Sequence, residues 1–254
     1  MLKGLTIMTF TLTLLLVLCN MEYSSPTPQI ETDFLRDLYH STRGEQWLFN
    51  SSHGAAWNFT QGGESDAYAY LSDPCGDAWQ GVFCTTNCAN SHDSCHITEL
   101  SLSYMNLQGP LPPNASALSH LQALGLSGNH LSGQVPPDLY ALTSLQSLQL
   151  DENLLEGSLP PAISQLRHLS LLLLYDNQLT GPISEEIGAL TKLTFLSVAF
   201  NFFSNTIPST LSRLTALQRL RLNHNALTGT IPSTIGDLTT LRQLVCNSNA
   251  LTGE

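Results

Sequence analysis

From Leu121 onward, apolar side chains recur at the first, fourth, sixth and eleventh positions of a 24-residue period. The blocks begin at Leu121, Leu145, Leu169, Leu193, Leu217 and Leu241, with no insertion or deletion between them. A less regular copy occupies Ile97–His120. A fixed period of this length predicts a solenoid, in which each block buries its apolar face only against its neighbours. Length is therefore a poor guide to domain count, and the 254 residues suffice for one elongated unit.

Within a block the fourth and sixth positions, such as Leu124 and Leu126, alternate with more polar residues. That alternation predicts a short strand with leucine inward and the intervening residues outward. Strands of successive blocks then lie side by side as a parallel sheet, about 4.8 Å apart. The ninth position is asparagine in six blocks: Asn129, Asn153, Asn177, Asn201, Asn225 and Asn249. A buried amide must satisfy both its donors and its acceptor, so a repeated inward asparagine implies a repeated bonding pattern. Met105 holds that slot in the first block. The thirteenth position is glycine in six of seven blocks and Asn205 in the other, which predicts a left-handed turn there. Pro136, Pro160, Pro208 and Pro232 are then expected to open an extended return, with Ser184 the one departure.

Ahead of the blocks, Thr32–His40 places Phe34, Leu35, Leu38 and Tyr39 at helical spacing, with Thr32 or Asp33 as the cap and Gly44 beyond the end. Residues 44–72 read as loop anchored by Trp47 and Trp57. Then follows Asp73–Cys84, DPCGDAWQGVFC. The order L-x-x-L-x-L-x-x-N-x-L is that of a leucine-rich repeat. Together, the D-P-C and W-x-G-V-x-C motifs and the repeat tail G-x-[I/V/L]-P resemble plant-type leucine-rich-repeat proteins. That tail appears as Gly133–Pro136 and Gly229–Pro232. The resemblance runs from about residue 32 to the end, and the segment Cys88–Cys95 is an insertion relative to the usual cap.

The resemblance implies an α/β solenoid: a leucine-rich-repeat superhelix with a parallel β-sheet on the concave face and an N-terminal helical, disulfide-bonded cap. It implies that the asparagines form a ladder between turns. Such a solenoid needs a cover for its first repeat. The helix and Trp79 are placed to supply it, stapled by Cys75–Cys84, with Cys88–Cys95 closing a following loop. The rival is a metal site of Cys84, Cys88, Cys95 and His96. Cys246 stands at the sixth position of its block and reads as a small buried hydrophobe.

Composition narrows the function. The net charge is −11, most of it from residues 20–96, and there is no basic tract. Nucleic acid and anionic membrane surfaces are poor partners for such a chain. Residues 1–19 carry one lysine and then an uncharged leucine-rich run, which reads as a secretory signal peptide cut near Cys19–Asn20. The alternative is an uncleaved anchor, for which the run is somewhat short. Residues 20–31 read as a loose leader, 32–96 as the cap and 97–254 as seven repeats, the last incomplete. Behind a signal peptide, the triplets at Asn50, Asn58 and Asn114 become glycan acceptors on a secreted or cell-surface protein. A solenoid stopping inside its seventh repeat would leave Leu241, Leu244 and Leu251 partly uncovered. The sequence is therefore read as a fragment, and membrane attachment would come only through a missing downstream segment or an uncleaved signal.

Candidate chemistry falls on the outward strand positions. An acidic zone at Asp151 and Glu152 leads to Leu171, Leu173, Tyr175, Phe195 and Phe200, then to Arg219 and Arg221. A contiguous apolar patch marks an interaction surface, unless neighbouring side chains bury it. Two arginines on one face suit a carboxylate or sulfate, and otherwise form ordinary solvated charge. The pair resembles the arginines that some plant receptors use for a peptide's free C-terminus. The eight histidines are scattered and no metal motif, nucleophile elbow or phosphate loop occurs, so neither an enzyme nor a cofactor is expected. His224 with Arg221 and Asp176 is the one constellation that resembles a catalytic site. The sequence thus predicts an extracellular module that binds a peptide or protein on the concave face, as a receptor-like ectodomain or part of one. The alternatives are a secreted inhibitor of a foreign cell-wall-degrading enzyme and a structural or adhesive surface protein.

Overall fold

The computed structural model describes residues 27–50, 52–57, 59, 73–85 and 95–253. Helix α1 spans Gln29–Ser41. Strand β1 is Val82–Cys84. Each repeat then contributes two strands. The first set is β2 (Ile97–Ser101), β4 (Ala123–Gly125), β6 (Ser147–Gln149), β8 (Leu171–Leu173), β10 (Phe195–Ser197), β12 (Arg219–Arg221) and β14 (Gln243–Val245). The second is β3 (Gln108–Pro110), β5 (His130–Gln134), β7 (Leu154–Ser158), β9 (Gln178–Pro182), β11 (Phe202–Thr206), β13 (Ala226–Gly229) and β15 (Ala250–Leu251).

The first set, with β1 at its edge, forms an eight-stranded sheet. Each strand pairs in parallel with the same positions one repeat away, for example Leu172 with Leu196 and Leu196 with Leu220. Only β1 runs antiparallel, against β2. The expected strands are therefore in place. The return side differs from expectation. The second set makes a seven-stranded parallel sheet of its own. The prolines do not open a plain extended return: Pro136, Pro160, Pro208 and Pro232 each precede a 3-10 turn. Ser184 holds φ −58° and ψ 134°, close to the −58° and 136° of Pro136, so the departure in sequence leaves the backbone path unchanged.

Two sheets and a row of turns enclose one continuous core. Leu121, Leu145, Leu169, Leu193 and Leu217 are fully buried, as are Leu172, Leu196 and Leu220. Each such leucine contributes about 1.5–3 kcal/mol of transfer free energy. Helix α1 closes the first repeat with Phe34, Leu35 and Leu38, while Trp47, Trp57 and Trp79 pack beside it. Trp57 and Trp79 are stacked at 5.5 Å, and Trp47 meets Trp57 edge-on at 4.8 Å. At the other end Leu244 is 37% exposed, and Leu241, Leu251 and Cys246 are partly buried.

The helix begins earlier than its sequence signals suggest. Its N-cap is Pro28, so Thr32 and Asp33 lie inside it and cap nothing. The physical reason is Glu31. The extra turn carries that carboxylate, almost fully buried, to the first repeat, where Oε2 accepts from the Ile97 N–H at 2.8 Å. A hydrogen bond from Thr27 to Asp73 ties down the entry to the helix. The opening strand thereby gains a partner for an N–H that no preceding repeat supplies.

Candidate recognition surface

The asparagine ladder sets the geometry on which the outer face is built. Asn177 Nδ2 donates to the carbonyls of Leu150, Leu174 and Tyr175 at 3.0, 3.3 and 3.4 Å, and its Oδ1 accepts from Leu155 N–H at 2.9 Å. The same pattern holds from Asn129 to Asn249. It starts at Asn129, which reaches back to Met105 N–H and Leu107 N–H, as an asparagine-free first block requires.

Between strand and ladder lies a feature with no sequence signature. The eighth residue of every repeat has positive φ: Tyr104, Gly128, Glu152, Asp176, Phe200, His224 and Ser248, at 53° to 65°. The left-handed region disfavours side chains by about 1–2 kcal/mol. Cross-repeat bonds hold the backbone there. Phe200 N–H donates to the Asn223 carbonyl, and the Phe200 carbonyl accepts from Asn177 N–H. Because the constraint comes from neighbouring repeats, the residue type is free, and each eighth side chain is thrown outward. Tyr104 is 62% exposed and Phe200 48%. Glycine at position 128 serves a further purpose, since a Cβ there would collide with the Tyr104 ring.

The expected patch does come together, but as one cluster rather than as an aromatic zone beside a basic one. Phe195 lies in register between Leu171 on one side and Arg219 on the other. The Arg219 guanidinium sits 4.3 Å from the Phe195 ring centroid and that of Arg221 5.5 Å. Both arginines are exposed, while Leu171, Leu173, Tyr175 and Phe195 are half-buried. The flanking fifth- and seventh-position residues, outward by sequence, are covered instead: Ser197 and Ala199 are 1% and 3% exposed. Phe200 pairs with His224, ring centroids 4.2 Å apart and planes at 12°. These are the eighth residues of adjacent repeats, which is why they stack. His224 thus serves the aromatic row, and the constellation with Arg221 and Asp176 gives way to that stack.

The acidic zone is also occupied. Asp151 is 3% exposed and accepts from Ser127 Oγ at 2.8 Å. Burial raises its pKa above the usual carboxylate value, with the Ser127 hydrogen bond opposing. Tyr175 Oη donates to Glu152 Oε1 at 2.8 Å, and Tyr104 Oη approaches Oε2 at 3.5 Å. Burial, followed by the hydrogen bond to Glu152, raises the Tyr175 pKa. Glu152 is therefore bracketed by two phenols, and Asp151 is a core group rather than a surface charge.

At the cap, Cys75 and Cys84 are bonded, Cα to Cα 5.8 Å. Cys95 is in a disulfide as well, and Cys88, its expected partner, lies outside the described residues. The alternative metal set is overturned, because disulfide sulfurs are not thiolate ligands. Cys246 is free, and half-buried rather than fully covered. His96 Nδ1 instead bonds Glu31 Oε1 at 2.6 Å, and its ring stacks on His120 at 3.7 Å. Ligand atoms of Glu31, His96 and His120 lie within 4.8 Å of one another. Both Glu31 oxygens are already engaged, however, Oε1 with His96 and Oε2 with the Ile97 N–H. The arrangement serves as a contact between cap and first repeats. Of the glycan acceptors, Asn50 and Asn114 are exposed, and Asn58 lies outside the described residues. So do residues 1–26.

The sequence pattern of the family described as Leucine Rich Repeat matches residues 120–142, 144–166 and 216–238. The repeats are leucine-rich repeats. Among curated protein sequences none matches the chain. Solved structures do. The plant peptide hormone receptor RGFR1 in complex with RGF2 is 36% identical, with a TM-score of 0.59, over 60% of this chain and 24% of that one. The leucine-rich-repeat ectodomain of the Arabidopsis receptor kinase HAESA, with an N-terminally extended IDA peptide hormone, is 30% identical at a TM-score of 0.64, covering 85% and 34%. Pollen Receptor Kinase 3 is 27% identical at 0.61, covering 78% and 91%. The chain spans only 24% and 34% of the length of these two peptide-hormone-bound structures. These likenesses place the leucine-rich repeats with plant-type, receptor-kinase ectodomains. Among the described residues no helix is long and apolar enough to cross a membrane.

Proposed function

We propose that the chain is an extracellular recognition module that binds an extended peptide, or an extended segment of a protein, across the outer face of the eight-stranded sheet. The observation that carries this reading is the cluster of Phe195, Arg219 and Arg221, continuous in register with Leu171 and Leu173. It joins an apolar anchor to two cations on one rigid surface. Apolar anchors carry most interface energy, while exposed charges set orientation and rate. Peptide complexes among the similar structures support the same class of ligand. Exposure of Asn50 and Asn114 suits glycosylation on the secretory route, and the run at residues 1–19 suits entry to it.

Strands β8, β10 and β12 are consecutive, so the outer two stand about 10 Å apart at about 4.8 Å per step. Three or four extended residues, at about 3.3 Å each, cover that distance. The arginines at one end hold the ligand's terminal carboxylate, and the Phe195 side receives an apolar residue. The test is titration of a peptide captured by pull-down, in free-acid and C-terminally amidated forms, against wild type and the Arg219→Ala/Arg221→Ala double variant. The free acid should lose affinity for the variant and the amide should not. Equal weakening of both forms would rule out the carboxylate role.

A further inference from the structure

Behind the eight-stranded sheet, the second sheet and the 3-10 turns part around a cavity of about 330 Å³. It spans the second to fourth repeats. Its floor is Leu148 and Leu172, fully buried side chains on the inward face of β6 and β8. Its walls include Tyr140 from one turn and Ala162 from the next, and Glu156 stands at its exposed rim. An apolar cavity of about 150 Å³ already accepts benzene. Ligand pockets begin at about 300 Å³ and combine apolar walls with a few placed polar groups.

Tyr140 is the placed polar group. In the other five complete repeats the same position is Ser116, Ser164, Gly188, Ser212 or Gly236. Tyr140 is 4% exposed, and among the described residues no side-chain hydrogen bond holds its hydroxyl, whose oxygen is not sealed from solvent. Burial raises the Tyr140 pKa, so the phenol is a hydrogen-bond donor at neutral pH. An acceptor that enters the cavity can take this donor in place of water. The phenol lines the cavity, so such an acceptor would meet it there.

We propose that this cavity is a binding site for a neutral, apolar small molecule carrying one hydrogen-bond-accepting oxygen, which receives the Tyr140 hydroxyl. The Glu156 carboxylate at the rim disfavours anions, and the leucine floor disfavours polar or charged bodies. Cavity and outer face are on opposite sides of the eight-stranded sheet, so this site stands or falls independently of the peptide surface.

The test uses 2-acetylnaphthalene and its near-isosteric hydrocarbon, 2-ethylnaphthalene, titrated by protein-observed NMR. The ketone should bind saturably and more tightly than the hydrocarbon. Tyr140→Phe should weaken the ketone about fivefold, the scale of one net hydrogen bond, and leave the hydrocarbon unchanged. Ala162→Phe, confirmed folded by its melting curve, should abolish both. Independently of any variant, probe protons should show cross-relaxation to the Tyr140 ring and none to Phe195. Equal affinity of ketone and hydrocarbon for wild type would overturn the proposal, as would cross-relaxation to Phe195 alone. So would unchanged binding by a folded Ala162→Phe, or no saturable binding at all.

Discussion

The guanidinium of Arg219 lies 4.3 Å from the centroid of the Phe195 ring, on the adjacent strand of the same sheet. Each side chain orders the other. Phe195 gives the cation a flat support, and Arg219 covers a ring that the repeat register would otherwise leave open. At an exposed site such a contact is worth about 0.5–1 kcal/mol. A double-mutant cycle of Phe195→Ala and Arg219→Ala, read by denaturant unfolding, should return a coupling energy in that range. Strict additivity would mean that the two side chains do not meet in solution.

The ladder makes a sharper distinction. Asn177→Ala removes donors to three carbonyls and the acceptor for Leu155 N–H, all within the buried turn. It should cost about 1–3 kcal/mol of stability. Asn247, at an exposed outward position two residues from the ladder asparagine of its repeat, should tolerate alanine within about 0.5 kcal/mol. Chemical denaturation of the two variants checks both, and equal effects would mean the register is wrong.

Much of this was legible in the sequence, because position in the period determines environment. Asn177 and Leu172 each repeat a demand that no other residue type satisfies: a bifunctional amide in the turn and a branched apolar chain inside. The left-handed glycines were legible for the same reason, down to Asn205 at φ 66°. The eighth position was not. Its positive φ is imposed by bonds from adjacent repeats, so Phe200, His224 and Tyr104 carry no compositional mark. The second sheet was hidden likewise, since pairs such as Gly157 with Leu179 and Ser158 with Thr180 show no apolar alternation along the strand. Nor did alternation reveal that Ser197 and Asp151 would be covered, because burial there comes from larger neighbours on the next strand. Glu31 fell outside the expected helix because its role depends on Ile97, distant in sequence.

Asp151 should leave a trace in the pH dependence of stability. Its pKa is raised in the fold by burial, so the folded state holds the proton more tightly than the unfolded state. Stability from this group is therefore fully present below the ordinary carboxylate pKa and lost as pH rises through the raised, folded value. Asp151→Asn should remove that decline. Melting temperatures of wild type and variant across pH 3 to 7, roughly the window set by carboxylate titration, should converge toward the acid end and diverge toward neutrality. Parallel curves would show that Asp151 titrates normally.

The staples are open to direct mapping. Non-reducing peptide mass spectrometry should recover Cys75 linked to Cys84, Cys88 linked to Cys95, and Cys246 as a free thiol. A bridge to Cys246 would contradict its placement among the inward residues of the last repeat.

The outer face of the eight-stranded sheet, and not the second sheet, is the surface proposed to meet the ligand. Phe195 and Phe202 make the comparison direct, since Phe202 is 61% exposed and lies on β11 of the other sheet. The measurement is the Kd of one captured peptide for wild type, Phe195→Ala and Phe202→Ala. Phe195→Ala should weaken binding by about 1–3 kcal/mol, the scale of an interface anchor, while Phe202→Ala binds as wild type does. The reverse outcome, wild-type affinity for Phe195→Ala and a loss for Phe202→Ala, would contradict the account.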